Sequence, residues 1–244
     1  MIPAGWRLDA RDSVGSTNDE AKAAALNGSP AGLVITAMQQ TAGRGRLGRG
    51  WTSPVGNLYA SLLLRPGVPP QRAAELSLLA GVAACEAIAR QCPVPVLLKW
   101  PNDLMRGDGK LGGILVESAL DPARATVEWV VIGIGLNLVP VAVPGREVAD
   151  LADHAVDRTQ LLADLVTAID AWVQVWLREG LQPVLSHWTR RIWGMGRTVQ
   201  AGSVSGVILG LDRDGALLVT TATGPVRVTA GDVGVGGGVH AARD

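Results

Sequence analysis

Two β-rich runs, Gly113 to Leu120 and Thr126 to Ile134, follow one another with only a short segment and its Asp121-Pro122 turn dipeptide between them. A parallel pair needs a crossover of a dozen or more residues, so these runs must pair antiparallel, as a hairpin. Around them, helical and β-rich stretches alternate without a regular strand-helix-strand rhythm. Ser16 to Leu26 reads as a capped helix, with Thr17 placed three before Glu20 as in a capping box and Gly28 and Pro30 ending the run. Leu33 to Ala37, Leu58 to Leu64 and Val94 to Lys99 read as strands, and Arg72 to Arg90 as an Ala- and Leu-rich helix. Asp157 precedes an amphipathic helix to Glu179, and Pro183 sits in the first turn of another that ends near Ile192. The mixture predicts an α+β fold with a mixed, largely antiparallel sheet flanked by helices; a doubly wound parallel fold fits less well.

Beyond Gly196 the character changes to short alternating runs, Thr198 to Gln200, Val204 to Leu211, Ala216 to Thr221 and Pro225 to Val228, punctuated by Gly turns. This is a small all-β module of about 40 residues, close to the lower limit for independent stability, so it is expected to lean on the main body. The division is therefore a large domain over residues 1–195, a β module over 196–236 and a tail over 237–244, with the Gly-rich stretch from Gly234 onward expected to fray.

Composition narrows the function. No apolar run reaches the roughly 20 residues of a membrane span, and no basic start with an apolar stretch marks a signal peptide, so a cytoplasmic protein with no membrane partner is expected. Cys85 and Cys92 are the only cysteines and read as small core residues. Lys plus Arg and Asp plus Glu both total 22, which removes the global positive field of a nonspecific nucleic-acid binder. Anion binding must be local.

Three segments can supply it. Gly43 to Trp51, GRGRLGRGW, alternates Gly with Arg inside a long loop, Gln39 to Pro54, that has no apolar periodicity. Glycine lets backbone approach a ligand, and guanidinium forks bind phosphate or carboxylate oxygens bidentately. The bland alternatives are a solvated basic loop or an RNA-contacting Gly-Arg segment; a P-loop is excluded because no Gly-Lys-Ser/Thr ending follows. Lys99-Trp100-Pro101-Asn102-Asp103 and Lys110-Leu111-Gly112-Gly113 bring two cations, an amide and a carboxylate to strand ends, as a site for an anion and a magnesium ion requires. Lysine occurs otherwise only at Lys22, which sharpens the coincidence. Gly133-Ile134-Gly135-Leu136-Asn137 fails as a dinucleotide fingerprint, since the third glycine is missing and Pro140 follows where a helix must open. Its glycines instead suit a flat ligand lying against the backbone. The three histidines have no zinc spacing, no GxSxG occurs, and the Trp172/Trp176 stripe reads as core.

Ser16-Thr17-Asn18, Gln40-Thr41-Ala42 with GRGRLGRGW, KWPNDL from Lys99, KLGGILVE from Lys110 and IGIGLN from Ile132, in that order, together resemble the biotin protein ligase family. The β module after Gly196 resembles that family's SH3-like C-terminal domain. The resemblance implies a class II synthetase-like catalytic domain of the monofunctional kind, without an N-terminal winged helix-turn-helix. It implies a two-step reaction: ATP and biotin give biotinyl-5′-AMP, and a lysine of biotin carboxyl carrier protein takes the biotinyl group. By the same resemblance Arg44, Arg46 and Lys110 are catalytic, and Ser16, Thr17, Asn18, Gln40, Gly45, Gly113, Gly133 and Gly135 join them around biotin. Arg46, Arg49, Trp51, Lys99, Asn102, Lys110 and Asn137 are implied for ATP, with Trp51 near adenine, and Asp103 for Mg²⁺. Thr17 either caps its helix, contacts biotin, or does both. Met38 departs from the pattern, where an acidic residue often precedes the glutamines. Family members often pair through the central sheet, so a homodimer is implied. Lipoate-protein ligase and octanoyltransferase are the nearest alternatives; an RNA-binding module is disfavoured by neutral charge and few stacking aromatics.

Overall fold

A computed structural model describes residues 1–235; the expected tail over 237–244, and residue 236 of the β module, lie outside the described residues. The larger body is a seven-stranded sheet. In chain order its strands are β1 (Arg7–Val14), β2 (Leu33–Gln40), β3 (Leu58–Leu64), β4 (Leu97–Lys99), β5 (Asp103–Arg106), β6 (Gly109–Asp121) and β7 (Thr126–Leu136). They lie side by side as β1-β2-β3-β7-β6-β5-β4. Only β1 and β2 run parallel; every other neighbour is antiparallel. The β6–β7 hairpin forms as its turn dictates, with Gly113 opposite Gly135 and Leu115 opposite Gly133.

Four helices complete the body: α1 (Thr17–Leu26), α2 (Glu75–Gln91), α3 (Arg158–Glu179) and α4 (Gln182–Thr189). Strand alternation sorts the sheet's two faces. Leu62, Val130, Ile132 and Ile134 join the main core with α2, α3 and α4, while Leu63, Trp129 and Val131 pack beneath α1 with Ala21 and Ala25. Gly133 and Gly135 continue the α1 face of β7, Gly113, Leu115 and Glu117 the same face of β6, and Ser61 that of β3. Past the end of α1 this face is left uncovered by helix, and the site forms there. Asp157, which precedes α3, caps it, its Oδ1 accepting from the backbone of Thr159 at 2.8 Å and Gln160 at 3.0 Å.

The second sheet is antiparallel throughout: β8 (Thr198–Ala201), β9 (Val204–Leu211), β10 (Leu217–Thr221), β11 (Gly224–Val228) and β12 (Val233–Val235), ordered β11-β10-β9-β8-β12. Its inward residues Val199, Ile208, Leu217 and Val219 belong to the same apolar core as the large body. Trp100 Nε1 donates to the Gly215 carbonyl at 3.0 Å across the junction.

Several expectations are corrected. β1, β5 and β12 had no sequence signal strong enough to read: β1 is a polar edge strand, β5 is short, and β12 lies where Gly234 was expected to fray but is paired to β8. Only Leu97–Lys99 of the Val94 to Lys99 run is strand, α2 begins at Glu75 after a 3₁₀ turn at Pro70–Arg72, and α4 stops at Thr189. The capping box fails. Ser16 is the residue before α1, neither it nor Thr17 caps with its side chain, and Glu20 pairs with Arg11 at 2.6 Å. The Thr17 hydroxyl is engaged elsewhere, as follows.

Candidate active site

A cavity of about 1330 Å³ opens on the bare part of the α1 face and extends to the second sheet. Every residue singled out from the sequence lines it except Asn137. That side chain is buried and donates through Nδ2 to the carbonyls of Lys110 at 3.2 Å and Ala149 at 3.1 Å, tying the Lys110 strand to its neighbour, and lines a smaller adjoining pocket with Trp51 and Lys110.

One end of the cavity is a buried polar cradle. Thr17 donates from backbone N at 2.8 Å and Oγ1 at 3.1 Å to Gln40 Oε1, and Gln40 Nε2 donates to Ser53 Oγ at 2.9 Å. The Ser61 hydroxyl, fully buried on β3, lies 2.8 Å from Thr17 Oγ1 and 2.6 Å from Asn18 Oδ1. Asn18 Nδ2 donates to Glu117 Oε2 at 2.8 Å. Buried polar groups must be paired, and here they pair with each other in a chain that fixes every rotamer. Gly133 is part of this arrangement, because a Cβ there would stand 2.0 Å from Asn18 Oδ1.

Gly135 and Gly113 carry Trp51 in the same way. A Cβ on Gly135 would meet Trp51 Nε1 at 2.6 Å, and one on Gly113 would meet its ring at 3.2 Å. These glycines line the cavity and at the same time make room for the Asn18 and Trp51 side chains, because the Gly-Arg loop folds down onto β6 and β7. The Trp51 ring lies with Lys110 Nζ 5.3 Å from its centre, and its Nε1 is buried without a partner in the protein.

The other end is charged. The loop closes on itself through Trp51 N to the Gly43 carbonyl at 2.9 Å and Gly45 N to the Arg49 carbonyl at 2.7 Å, which makes a small strap. Arg46 reaches Asn102 Oδ1 at 3.0 Å, while Asn102 Nδ2 donates to the Ile114 carbonyl at 2.7 Å. Arg46 and Arg49 both meet Asp232 of the second sheet, at 3.3 and 2.7 Å. Lys110 Nζ donates to Asp103 Oδ1 at 2.6 Å, and Lys99 Nζ sits 4.8 Å over the Trp193 ring. Burial pushes both ammonium groups below the usual lysine range, against the pull of Asp103. Arg44 turns the opposite way, to Asp19 at 2.5 Å and Glu117 at 3.1 Å.

Sequence reasoning missed Ser61, Glu117 and Asp232. Glu117 had a signal: it shares the parity of Gly113 along one strand, hence its face. Ser61 and Asp232 arrive through long-range pairing and had none.

A chamber with a hydrogen-bonding cradle at one end and converging cations at the other suits joining a polar-headed acid to a phosphate donor, and the comparisons agree. A model described as "Biotin/lipoate A/B protein ligase family" matches residues 12–137, and one described as "Biotin protein ligase C terminal domain" matches residues 196–236. The chain belongs to the biotin/lipoate A/B protein ligase family. Among individual relatives, the biotin–[acetyl-CoA-carboxylase] ligase of Paracoccus denitrificans is 34% identical, over 91% of this chain and 98% of that protein. The bifunctional ligase/repressor BirA of Bacillus subtilis is 31% identical over 95% of this chain and 75% of that protein. In structure, the biotin protein ligase from Aquifex aeolicus in complex with biotin and ATP superposes with a TM-score of 0.80 at 26% identity, over 93% of this chain and 97% of that one. Among the described residues no helix is long and apolar enough to cross a membrane.

Proposed function

We propose that the chain is a biotin-protein ligase that activates biotin with ATP and passes it to a lysine of biotin carboxyl carrier protein. The observation that carries this is the convergence of Arg46 and Lys110, fixed on the adjacent residues Asn102 and Asp103, at the far end of one cavity from the Thr17–Gln40–Asn18 cradle. Relatives and a solved neighbour named for biotin support biotin over lipoate as the acid.

In the first step a carboxylate oxygen of biotin attacks the α-phosphorus, the bond from that phosphorus to the bridging oxygen breaks, and pyrophosphate leaves. Two anions must be held together for this, which in water is opposed by repulsion and by lost freedom. The cradle holds the ureido head, whose N–H and C=O groups would otherwise be buried unpaired. Lys110 lies where the carboxylate meets phosphate, and its ammonium, already drawn from water, offsets charge more strongly than a solvated one. Arg46 and Arg49 exchange Asp232 for phosphate oxygens, and Lys99 adds charge from beside Trp193. In the second step the carrier lysine's amine attacks the anhydride carbonyl, the C–O bond to AMP breaks, and the amine sheds its proton to solvent. Water would hydrolyse the same anhydride, so the strap both supplies charge and excludes solvent.

Magnesium fits as a companion of the nucleotide. No group of three His, Cys, Asp or Glu side chains among the described residues forms a cage, and Mg²⁺ at nucleotide sites is commonly held by one or two carboxylates with phosphate oxygens. Asp103, with one oxygen on Lys110, would supply such a carboxylate, and the ion would neutralise phosphate charge.

Pyrophosphate release from ATP with biotin, and label transfer when a carrier domain is added, tests the assignment. Release with lipoate but not biotin would reassign the acid; release with neither would refute the ligase.

A further inference from the structure

Glu117 is the point at which the cradle and the strap meet. Its carboxylate, half-buried on β6, accepts from Asn18 Nδ2 at 2.8 Å, Lys22 Nζ at 2.9 Å and Arg44 Nη2 at 3.1 Å. Asn18 and Lys22 come from α1, Arg44 from the strap. Asp19 shares two of these donors, binding Lys22 at 2.9 Å and Arg44 at 2.5 Å, but reaches no cradle residue among its ion pairs. Burial alone would raise the Glu117 carboxyl; the bonds from Asn18 and Lys22 and the charges of Arg44 and Lys22 outweigh it, and the net direction is downward.

We propose that Glu117 is a positioning residue that couples the cradle to the strap, setting the Asn18 amide at the ligand's head and, through Arg44, the strap that carries Arg46. The inference rests on the ligase assignment and deepens it.

Two features support the coupling. Asn18 has no freedom to turn over: Nδ2 faces Glu117, and Oδ1 faces the Ser61 hydroxyl at 2.6 Å, directly over Gly133. Nδ2 also reaches the Leu115 carbonyl, at a longer 3.4 Å, so loss of Glu117 removes the shorter, charged acceptor that tells the two ends of this amide apart. Arg44 is the strap's handle. Because Gly43, Gly45, Arg49 and Trp51 are joined by the strap's own backbone bonds, a shift at Arg44 moves the unit rather than one side chain. Its Nε is buried without a partner, so the guanidinium is held through Nη2 alone, on Asp19 and Glu117. An acid whose head orders Asn18 thereby also favours the Glu117 geometry that seats the strap, and a seated strap favours the cradle in return.

The test uses the full chain with biotin and ATP. For Glu117→Gln, the KM for biotin should rise about tenfold and the escape of biotinyl-AMP into solution about tenfold, with KM for ATP little changed, since a charge-assisted hydrogen bond is lost at the cradle and at the handle but not among the phosphate cations. In a double-mutant cycle for escape, Glu117→Gln and Arg44→Gln should each raise it about tenfold, and together no more than either alone. A combined effect near one hundredfold, the product of independent losses, overturns the proposal, as does a Glu117→Gln variant with wild-type biotin KM and escape. Melting curves identify a variant that fails to fold; Glu117→Asp, which keeps the charge one methylene short, then reads the same split between biotin and ATP. A wild-type chain that releases no pyrophosphate refutes the ligase assignment instead, and is recognised before any variant is measured.

Discussion

Lys110 Nζ stands 2.6 Å from Asp103 Oδ1, and both side chains are largely buried, with 16% and 20% of their surface exposed. Asp103 directly follows Asn102, which holds Arg46. Burial pulls the Lys110 pKa down while Asp103 opposes that shift, and the ion pair sits in a place of low dielectric where an attacking carboxylate and a phosphate must meet.

Lys110→Ala should therefore lower biotin-dependent pyrophosphate release by about 10²–10³-fold, the range for removing one preorganised donor from a transition state. Asp103 loses its partner, and the fold should lose about 1–3 kcal/mol for that unpaired carboxylate, leaving a cooperative melt. Circular dichroism with a pyrophosphate assay separates the two effects.

Arg46→Ala should act later in the reaction. Arg46 joins the strap to Asn102 and to Asp232, and without it the cover over the anhydride is tethered at one place fewer. Biotinyl-AMP should escape about ten times faster, judged by the loss of a charge-assisted bond, and label bystander lysines on added foreign protein. Unchanged retention in a trapping assay would mean that the strap is not the cover.

The extent to which this could be read from sequence follows the range of the forces involved. The β6–β7 hairpin, the Asp157 cap on α3 and the runs of the second sheet rest on neighbours in the chain, and they formed where local chemistry placed them. β1 puts Arg7, Asp9, Arg11 and Ser13 on one face and Leu8, Ala10 and Val14 with Asp12 on the other, but its sheet-edge position leaves even Leu8 exposed, so only Val14 marks a buried side. Thr17 shows the converse: a local capping pattern was overridden by Gln40 and Ser61, residues brought to it by tertiary pairing. The glycines at 113, 133 and 135 line the cavity, but the neighbours they accommodate, Asn18 and Trp51, depend on how α1 and the strap settle on the sheet.

Gly133→Ala tests that last point. The added methyl would lie 2.0 Å from Asn18 Oδ1, far inside contact distance, and the amide must leave Ser61 and Glu117 to admit it. Overpacking of this kind costs about 1–3 kcal/mol, so the melting temperature should fall. Stabilisation by added biotin in a thermal-shift assay should nearly vanish while that by ATP persists; retention of the biotin shift would show that Asn18 is not needed for the head.

Asp232 gives the pH dependence its sign. Burial would raise this carboxyl, but the hydrogen bond from Arg49 and the charges of Arg49, Arg46 and Lys110 bring it below its ordinary value of 3.8. A group lowered in the folded state is ionised there more readily than in the unfolded chain. Its tie to the strap is therefore fully present above pH 3.8 and is lost as the pH falls through the lower, folded value. At neutral pH the same tie can be cut by Asp232→Asn, which leaves Arg46 on Asn102 and the Gly231 carbonyl but takes from Arg49 its only carboxylate partner among the described residues. Trypsin should then cleave after Arg49 severalfold faster than in the wild type, because local opening limits access to the strap. ATP with biotin should restore protection, since phosphate oxygens take the place of the missing carboxylate. Equal cleavage rates with and without the substitution would mean that the second sheet does not hold the strap in solution.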